Sequence, residues 1–242
     1  MATLAGRRIV VTGATGGIGR ALAAALHERG ASLALTGRRE NVLAEVASSL
    51  TRGAPVVMHA ADITDETQVN AFVDEALTAF GGLDVLVNLA GFSKPGRIVD
   101  TDLAAFEELM AANLTGTFLA SKRFLGAPGT ERLIVNVAST AGIRANPNAP
   151  LYCTAKAAVR MFTDGLALQA IADRVRVCSV SPGGVATDFW GDRPVDKSVM
   201  LTAEDVVRAL LFVIEAPPYV VVRDLVFESV ASSLGPEAAG RG

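Results

Sequence analysis

The chain has little of what marks several common classes of protein. It has only two cysteines, Cys153 and Cys178, too few for a disulfide framework and not spaced as zinc ligands. No basic block alternates with aromatic residues, and the formal net charge is -3, so nothing indicates nucleic-acid binding. No uncharged apolar run approaches membrane length, and the N-terminus lacks a secretory apolar core. We therefore expect a cytoplasmic protein without a metal site, a membrane segment or a nucleic-acid partner.

The composition is suited to a large packed core. Apolar residues make up 50% of the 242 positions and charged residues 19%, which favours one large folded domain over disorder. Short apolar runs alternate with longer amphipathic ones along the chain. The runs that predict strands are 8–12, 32–36, 56–60, 84–88, 133–138, 175–181 and 219–227. Those that predict helices are 20–29, 40–50, 66–80, 102–124, a long run from 152, and 203–215.

This alternation predicts an α/β fold. Repeated strand–helix units form a parallel sheet with helices on both faces, joined by right-handed crossovers. No linker or shift of composition divides the chain, so we predict one doubly wound domain over residues 1–234. The small polar segment 235–242 is expected to be a flexible tail.

A glycine-rich turn follows the first predicted strand. Residues 12–19 read Thr-Gly-Ala-Thr-Gly-Gly-Ile-Gly and lead directly into the first predicted helix. Glycines there let the backbone approach a pyrophosphate, which lies at the helix N-terminus. Because the turn has both its strand and its helix, it predicts a dinucleotide site.

The stretch from Ser139 to Lys156 carries a second chemical pattern. Ser139 ends a buried apolar run, and Tyr152 and Lys156 lie four residues apart, so they share one helix face. A free phenol titrates near ~10, and a nearby ammonium lowers that pKa towards a useful range for proton transfer. A serine hydroxyl can hold a carbonyl oxygen as charge develops on it. Tyr-x-x-x-Lys alone is common on helices, so this reading depends on the glycine-rich turn upstream.

Taken together, the motifs resemble the short-chain dehydrogenase/reductase family over residues 8 to about 227. The matches are Thr12-Gly13-x-x-x-Gly17-x-Gly19, Asp62, Asn88-Leu89-Ala90-Gly91, Asn113, Ser139, Tyr152-x-x-x-Lys156 and Pro182-Gly183. The resemblance implies a seven-stranded Rossmann fold and an NAD(P)-dependent oxidoreductase. Two positions depart from the family pattern: Leu89 replaces a usual asparagine, and Gly16 replaces the arginine or lysine of many NADP-dependent members.

The resemblance also implies roles for individual residues. Tyr152 would be the general acid in reduction and the general base in oxidation. Lys156 would bind the nicotinamide ribose and lower the pKa of Tyr152, and Ser139 would orient the substrate oxygen. Asn113 would hold a water that links Lys156 to solvent. The implied cofactor-binding residues are Gly13, Thr15, Gly17, Ile18, Gly19, Arg38, Arg39, Asp62, Ile63, Asn88, Ala90, Gly91, Tyr152, Lys156, Pro182, Gly183, Val185 and Thr187.

The end of the second predicted strand distinguishes the two nicotinamide cofactors. A carboxylate there would accept the ribose 2′-hydroxyl of NAD, whereas arginine pairs with the 2′-phosphate of NADP. The chain reads Thr36-Gly37-Arg38-Arg39 and has no carboxylate at the strand tip. The sequence therefore predicts NADP, with NAD as the alternative if the arginines are ordinary loop charges.

A pocket for a small or medium carbonyl or alcohol is expected beside the nicotinamide. Its predicted walls are Phe92-Ser93-Lys94, Ile143-Arg144, Asn146 and residues 184–193. In the last segment, Phe189 and Trp190 could form a lid or could pack beneath the next helix. Arg144 could bind an acid group or simply face solvent.

Other readings remain open. A non-catalytic NADP-binding sensor, an NAD-dependent alcohol dehydrogenase, and epimerisation or dehydration on the same scaffold are alternatives. The helices 102–124 and that of Tyr152 are rich in Ala, Leu, Phe and Met, and the family resemblance implies that they form the interface of a homo-oligomer, a tetramer or a dimer.

Overall fold

A single parallel sheet organises the chain in the computed structural model, which describes residues 4–50 and 53–233. Its strands are β1 (Arg8–Thr12), β2 (Ser32–Gly37), β3 (Val56–Ala60), β4 (Val85–Asn88), β5 (Leu133–Val137), β6 (Arg176–Pro182) and β7 (Asp224–Phe227). They lie in the order β3-β2-β1-β4-β5-β6-β7, and every neighbouring pair is parallel. The chain thus winds outward from β1 to one edge and returns to build the other. This confirms the predicted doubly wound Rossmann fold; the predicted tail, 235–242, lies outside the described residues.

Helices cover both faces of the sheet. They are α1 (Gly17–Glu28), α2 (Glu40–Ser49), α3 (Glu66–Phe80), α4 (Leu103–Met110), α5 (Gly116–Leu125), α6 (Pro150–Ala170), α7 (Ala203–Ile214) and α8 (Val230–Ser233). Within residues 4–50 and 53–233, none of them is long and apolar enough to cross a membrane.

Successive residues of the central strands face opposite layers. In β1, Ile9 and Val11 pack into the core beneath α1, α2 and α7, while Val10 packs into the core beneath α3, α5 and α6. Because side chains alternate along a strand, a sheet buried on both faces requires apolar residues at nearly every position. That requirement accounts for the continuous apolar runs in the sequence.

Several elements differ from the sequence prediction, and three of them have a clear physical reason. The helix carrying Tyr152 begins earlier, at Pro150, because proline is favoured in a first helical turn, where its missing N–H is not needed. The last strand is shorter than predicted, since a turn in which Val220 N donates to Pro217 O delays the strand to Asp224. The predicted helix 102–124 contains a π-helical turn, Ala111–Thr115, between α4 and α5.

A buried carboxylate clamps the amino-terminal edge of the sheet. Asp84 accepts hydrogen bonds from Arg8 N (3.0 Å), Arg8 Nε (2.9 Å), Arg8 Nη2 (2.6 Å) and Thr130 N (2.8 Å). Burial alone would raise the pKa of Asp84, but the bonds from Arg8 and Thr130 outweigh it and lower the pKa to about 2. The clamp ties β1, β4 and the segment before β5 together.

Asp84→Asn is expected to destabilise the fold by about 2–3 kcal/mol at neutral pH, because it leaves the Arg8 guanidinium without its counter-charge. The folded-state pKa lies below the unfolded value near ~3.9, so the stabilisation is present above pH ~4 and is lost as the pH falls towards ~2. Urea unfolding at pH 7 and pH 3 measures both effects.

Asp74→Asn is the matched control for the clamp. Asp74 also pairs with an arginine, Arg123, but the Asp74 side chain is 63% exposed. Asp74→Asn should therefore lower the free energy of unfolding by less than ~1 kcal/mol. Equal urea midpoints for the two variants would contradict the assigned role of Asp84.

Candidate active site

A cleft of about 1510 Å³ lies along the carboxyl ends of the strands. Pockets for one small ligand measure roughly 300–1,000 Å³, so this cleft has room for a dinucleotide and a substrate together. Eighteen of the predicted site residues line it: Gly13, Thr15, Gly17, Ile18, Gly19, Arg38, Arg39, Asp62, Ile63, Ala90, Gly91, Ser139, Tyr152, Lys156, Pro182, Gly183, Val185 and Thr187. The other two, Asn88 and Asn113, are buried behind its wall.

The glycine-rich turn brings bare backbone to the floor of the cleft. Gly13 has φ +70°, and a Cβ there would lie 2.7 Å from Ala90 N. A Cβ on Gly19 would lie 2.3 Å from Gly13 O, so a side chain is excluded at both positions. The first N–H groups of α1 follow, and no side chain caps them at Gly16. This cradle fits the pyrophosphate of a dinucleotide, which helix N-terminal N–H groups bind well.

Three arginines surround the entrance to α1. Arg39 Nη2 donates to Thr15 O at 3.0 Å, and Arg20 Nε donates to the same oxygen at 3.1 Å. Arg38 is exposed beside them at the end of β2. Among the described residues, none of the three forms a salt bridge, so the entrance presents positive charge to the cleft.

Sequence reasoning missed Arg20. It directly follows the last glycine of the fingerprint, and in the first turn of α1 a long side chain there can reach back over the glycine-rich turn. Arg20 thus places a cation beside the turn in which Gly16 carries none.

The Ser139, Tyr152 and Lys156 side chains converge at the middle of the cleft. Ser139 follows β5 and caps the short turn Thr140–Gly142, accepting from Ala141 N at 3.1 Å. Tyr152 lies in the first turn of α6. Lys156, one turn further on, donates Nζ to Val137 O at 3.1 Å, and its Nζ lies 5.8 Å from the Tyr152 ring centre.

The acid–base properties of this group differ from the sequence prediction. Burial raises the pKa of Tyr152 to about 12, although hydrogen bonding to Ser139 lowers it in part. Burial also lowers the pKa of Lys156 to about 8. This direction is opposite to the predicted lowering of the Tyr152 pKa by Lys156. The Lys156 ammonium binds a backbone carbonyl and faces the ring, and desolvation outweighs any effect of its charge on the phenol.

Asn113 lies behind Gly91 in the π-helical turn. Its Nδ2 donates to Leu109 O at 3.0 Å and to Phe92 O at 2.9 Å, while its buried Oδ1 has no hydrogen-bond partner in the described structure. A Cβ on Gly91 would lie 2.4 Å from this Oδ1 and 3.5 Å from Lys156 Nζ. The amide oxygen and the ammonium thus face one small space. Asn113 lies in a π-helical turn, a feature that often occurs at functional sites.

Asn88 supports the wall from below. It donates Nδ2 to Asn136 Oδ1 at 2.9 Å and to Ser121 Oγ at 3.2 Å, so it links β4, β5 and α5. The next residue, Leu89, which departs from the family pattern, packs against the apolar core. Asp62 accepts at its Oδ1 from Thr64 N at 2.9 Å, which shapes the loop after β3.

The segment after Thr187 forms a lid. The Phe189 ring lies 5.8 Å from the Tyr152 ring, and Trp190 Nε1 donates to Val185 O at 2.7 Å. Both aromatic residues line the cleft, which favours the interpretation of this segment as a lid. Arg193 folds back over both rings, with its guanidinium 5.4 Å from Phe189 and 5.0 Å from Trp190.

Only some of the other residues predicted for the substrate pocket line the cleft. Phe92, Ser93 and Asn146 line the cleft, and Arg144 lines it while pairing with Glu228. Lys94 and Ile143 were predicted for the same wall, but both are exposed and lie outside the cleft lining. Ile143 follows the Thr140–Gly142 turn, which directs its side chain into solvent instead.

Comparison with known proteins agrees with this geometry. A family model described as short chain dehydrogenase matches residues 7–197. An uncharacterized oxidoreductase of Staphylococcus saprophyticus is 32% identical over 234 residues, which cover 95% of this chain and all of that protein.

Solved structures are also similar. An alcohol dehydrogenase from the archaeon Thermococcus sibiricus, in complex with 5-hydroxy-NADP, has a TM-score of 0.86 at 30% identity, over 93% of this chain and 97% of that one. A 3-ketoacyl-(acyl-carrier-protein) reductase from Brucella melitensis, in complex with NADH, has a TM-score of 0.87 at 27% identity, over 95% and 100%. The chain is therefore an oxidoreductase that belongs to the short-chain dehydrogenase/reductase family.

Proposed function

We propose that the protein interconverts a small or medium carbonyl compound and its secondary alcohol with NADPH as the hydride donor. The observation that carries this proposal is the convergence of Ser139, Tyr152 and Lys156 in the cleft that also contains the glycine-rich turn. A non-catalytic sensor would need the turn but not the proton-transfer group.

The side chains have distinct roles in this proposal. The cofactor, held by the glycine-rich turn and the loops after β2 to β6, supplies the hydride. Tyr152 donates its phenolic proton to the substrate oxygen in reduction and accepts a proton in oxidation. Ser139 holds the same oxygen as negative charge develops on it. Lys156 would hold the ribose of the cofactor, and a water between its Nζ and Asn113 Oδ1 would link the site to solvent.

The choice of NADP rests on the charges around the entrance to α1. Arg20, Arg38 and Arg39 present guanidinium groups there without carboxylate partners among the described residues. A 2′-phosphate would supply the missing negative charge, and arginine binds phosphate through paired hydrogen bonds. One solved relative was described with an NADP derivative and another with NADH, so both cofactors must be tested.

The direct test is NADPH and NADH oxidation, followed by absorbance, against ketones, keto-esters, quinones and acyl-thioester analogues. The proposal expects turnover with at least one carbonyl class and a clear preference for NADPH. Tight NADPH binding without oxidation across the panel would favour the sensor instead.

We further propose that the protein is a homo-oligomer, a tetramer or a dimer, which buries an apolar surface of α4, α5 and α6. The exposed apolar side chains on these helices are Leu103 (69%), Phe106 (37%), Phe118 (43%), Met161 (72%) and Leu168 (71%). An exposed patch of this kind indicates an interaction surface.

Light scattering at micromolar concentration should give a mass at least twice that of the chain. Met161→Glu together with Leu168→Glu should lower the mass, because buried charges without partners oppose association. Val99→Glu, on an exposed residue outside these helices, is the control. A monomeric parent would reject the oligomer.

A further inference from the structure

We propose that Arg193 binds an anionic group of the substrate, so that the preferred carbonyl compound is an oxo acid with its carboxylate a short distance from the ketone. This inference names the substrate class of the site described above and rests on the proposed function. It follows from how Arg193 is held, what it faces and which charges surround it.

Arg193 is fixed by the lid itself. Gly191 has φ 55° and ψ -136°, a conformation that favours glycine, and it turns the chain back after the short helical turn Asp188–Trp190. Arg193 N donates to Trp190 O at 3.2 Å and Nε to the same oxygen at 2.6 Å, while Nη2 donates to Phe189 O. Stacking on both aromatic rings completes the arrangement. Because the guanidinium is already ordered, little conformational entropy is lost when it binds a ligand.

The guanidinium lies near the reacting end of the cleft. Phe189 lies between it and Tyr152, in contact with both, and the positive charge of Arg193 lowers the pKa of the Tyr152 phenol, although burial raises it overall. A ligand whose ketone oxygen meets Ser139 and Tyr152 can therefore extend along Phe189 to Arg193. The shortness of the lid fits a small oxo acid better than a bulky substrate.

Arg193 also retains donors and charge. The backbone carbonyls use Nε and Nη2, while Nη1 donates to no described residue. A carboxylate can pair with such a guanidinium through two hydrogen bonds. No carboxylate within residues 4–50 and 53–233 lies within salt-bridge distance of Arg193, although it is partly buried and lines the cleft.

The other cations of the cleft are engaged or distant. Arg144 pairs with Glu228, and Lys156 is buried with its Nζ on Val137 O. The remaining arginines of the cleft surround the entrance to α1, at the opposite, nucleotide end. Arg193 is thus the described cation of the substrate end that is neither paired with a carboxylate nor fully buried.

The test compares two probes that differ in one charge, 4-oxopentanoate and its methyl ester, by kcat/KM for NADPH oxidation. The parent should prefer the acid, and Arg193→Gln should reduce the acid-to-ester ratio roughly tenfold to a hundredfold, the range of one charge-assisted contact. Arg193→Lys should restore part of the ratio because it restores the charge. Arg97→Gln, which removes an arginine that is 81% exposed and lies outside the cleft lining, should leave the ratio near that of the parent.

A purely structural role of Arg193 in holding the lid predicts a different result. Arg193→Gln would then lower the rates with acid and ester by the same factor and leave their ratio unchanged. That result, or a parent that reduces the ester as well as the acid, overturns the inference while leaving carbonyl reduction standing.

Trp190 gives a second readout that does not depend on turnover. It is the only tryptophan of the chain, and Arg193 stacks on its ring, so an anion bound at Arg193 should change its fluorescence. Titration with 4-oxopentanoate, with and without NADP⁺, should show saturable binding that weakens roughly tenfold or more in Arg193→Gln and is absent with the ester. If no carbonyl compound is reduced but this binding is seen, the proposed reaction fails and the anion site stands. Equal responses to acid and ester, or no response at all, reject the anion site.

Discussion

Replacing Tyr152 by phenylalanine is expected to lower kcat for carbonyl reduction by about 10²–10⁴-fold, the usual contribution of a general acid. The variant keeps the ring, which contacts Phe189 and faces the Lys156 ammonium, and removes only the hydroxyl. The substrate oxygen would then receive its proton from water. The measurement is steady-state NADPH oxidation on the best substrate of the panel, with the NADPH dissociation constant measured separately.

The chain contains its own control for this change. Tyr219 is the only other tyrosine of the chain. It is 85% exposed and lies in the turn before β7, outside the cleft lining. Tyr219→Phe should leave kcat within about twofold of the parent. The NADPH dissociation constant should be nearly the same in parent and both variants, because the phenol contributes little to holding the nucleotide. Near-native turnover by Tyr152→Phe would show that another group supplies the proton.

The fold was predictable because its signals are repetitive. Each central strand is buried on both faces, so its residues must be apolar at nearly every position, as Ile9, Val10 and Val11 show in β1. Alternation of such runs with amphipathic helices leaves few possible topologies. Where burial is incomplete, the apolar pattern that predicts a strand is weaker. The edge strand β7 is an example, since the sequence predicts that it begins at residue 219 and the structure begins it at Asp224.

The composition of the cleft was predictable, but its energetics were not. The spacing of Tyr152 and Lys156 shows that they share one face of a helix. Their pKa values, however, depend on how far they are buried from water and on which other groups Lys156 binds. Val137 O, which accepts from Lys156, belongs to a different element and leaves no mark in the local sequence. The partners of Asn113 depend likewise on a π-turn that no simple periodicity reveals.

Arg20 and Arg193 illustrate contacts that only folding creates. Arg20 meets Arg39 at one carbonyl oxygen because β2 ends beside the glycine-rich turn. Arg193 reaches the substrate end of the cleft only because the lid reverses at Gly191. From the sequence alone, each of the two residues would be expected to be an ordinary solvent-facing arginine.

Arg38→Ala is expected to weaken NADPH binding by roughly tenfold to a hundredfold, since one charge-assisted hydrogen bond contributes about 1.5–3 kcal/mol. NADH lacks the 2′-phosphate, so its dissociation constant should change little. Arg20 and Arg39 remain as cations on Thr15 O, which places the expected loss towards the lower end of the range. Arg97→Ala, which removes an arginine 81% exposed in a loop outside the cleft lining, controls for the change in net charge.

Gly37→Asp is expected to shift the preference further, because a carboxylate at the end of β2 repels the phosphate and accepts from the ribose hydroxyl of NAD. The structure adds a steric term, since a Cβ on Gly37 would lie 2.9 Å from Thr15 Cγ2. Gly37→Ala introduces the same Cβ without a charge, so it measures the steric effect alone. With dissociation constants for both cofactors measured at one salt concentration, Gly37→Ala should weaken both alike, and Gly37→Asp should weaken NADPH selectively. If the parent binds NADH as tightly as NADPH, or Arg38→Ala weakens both equally, the arginines are ordinary surface charges and NAD is the cofactor to assign.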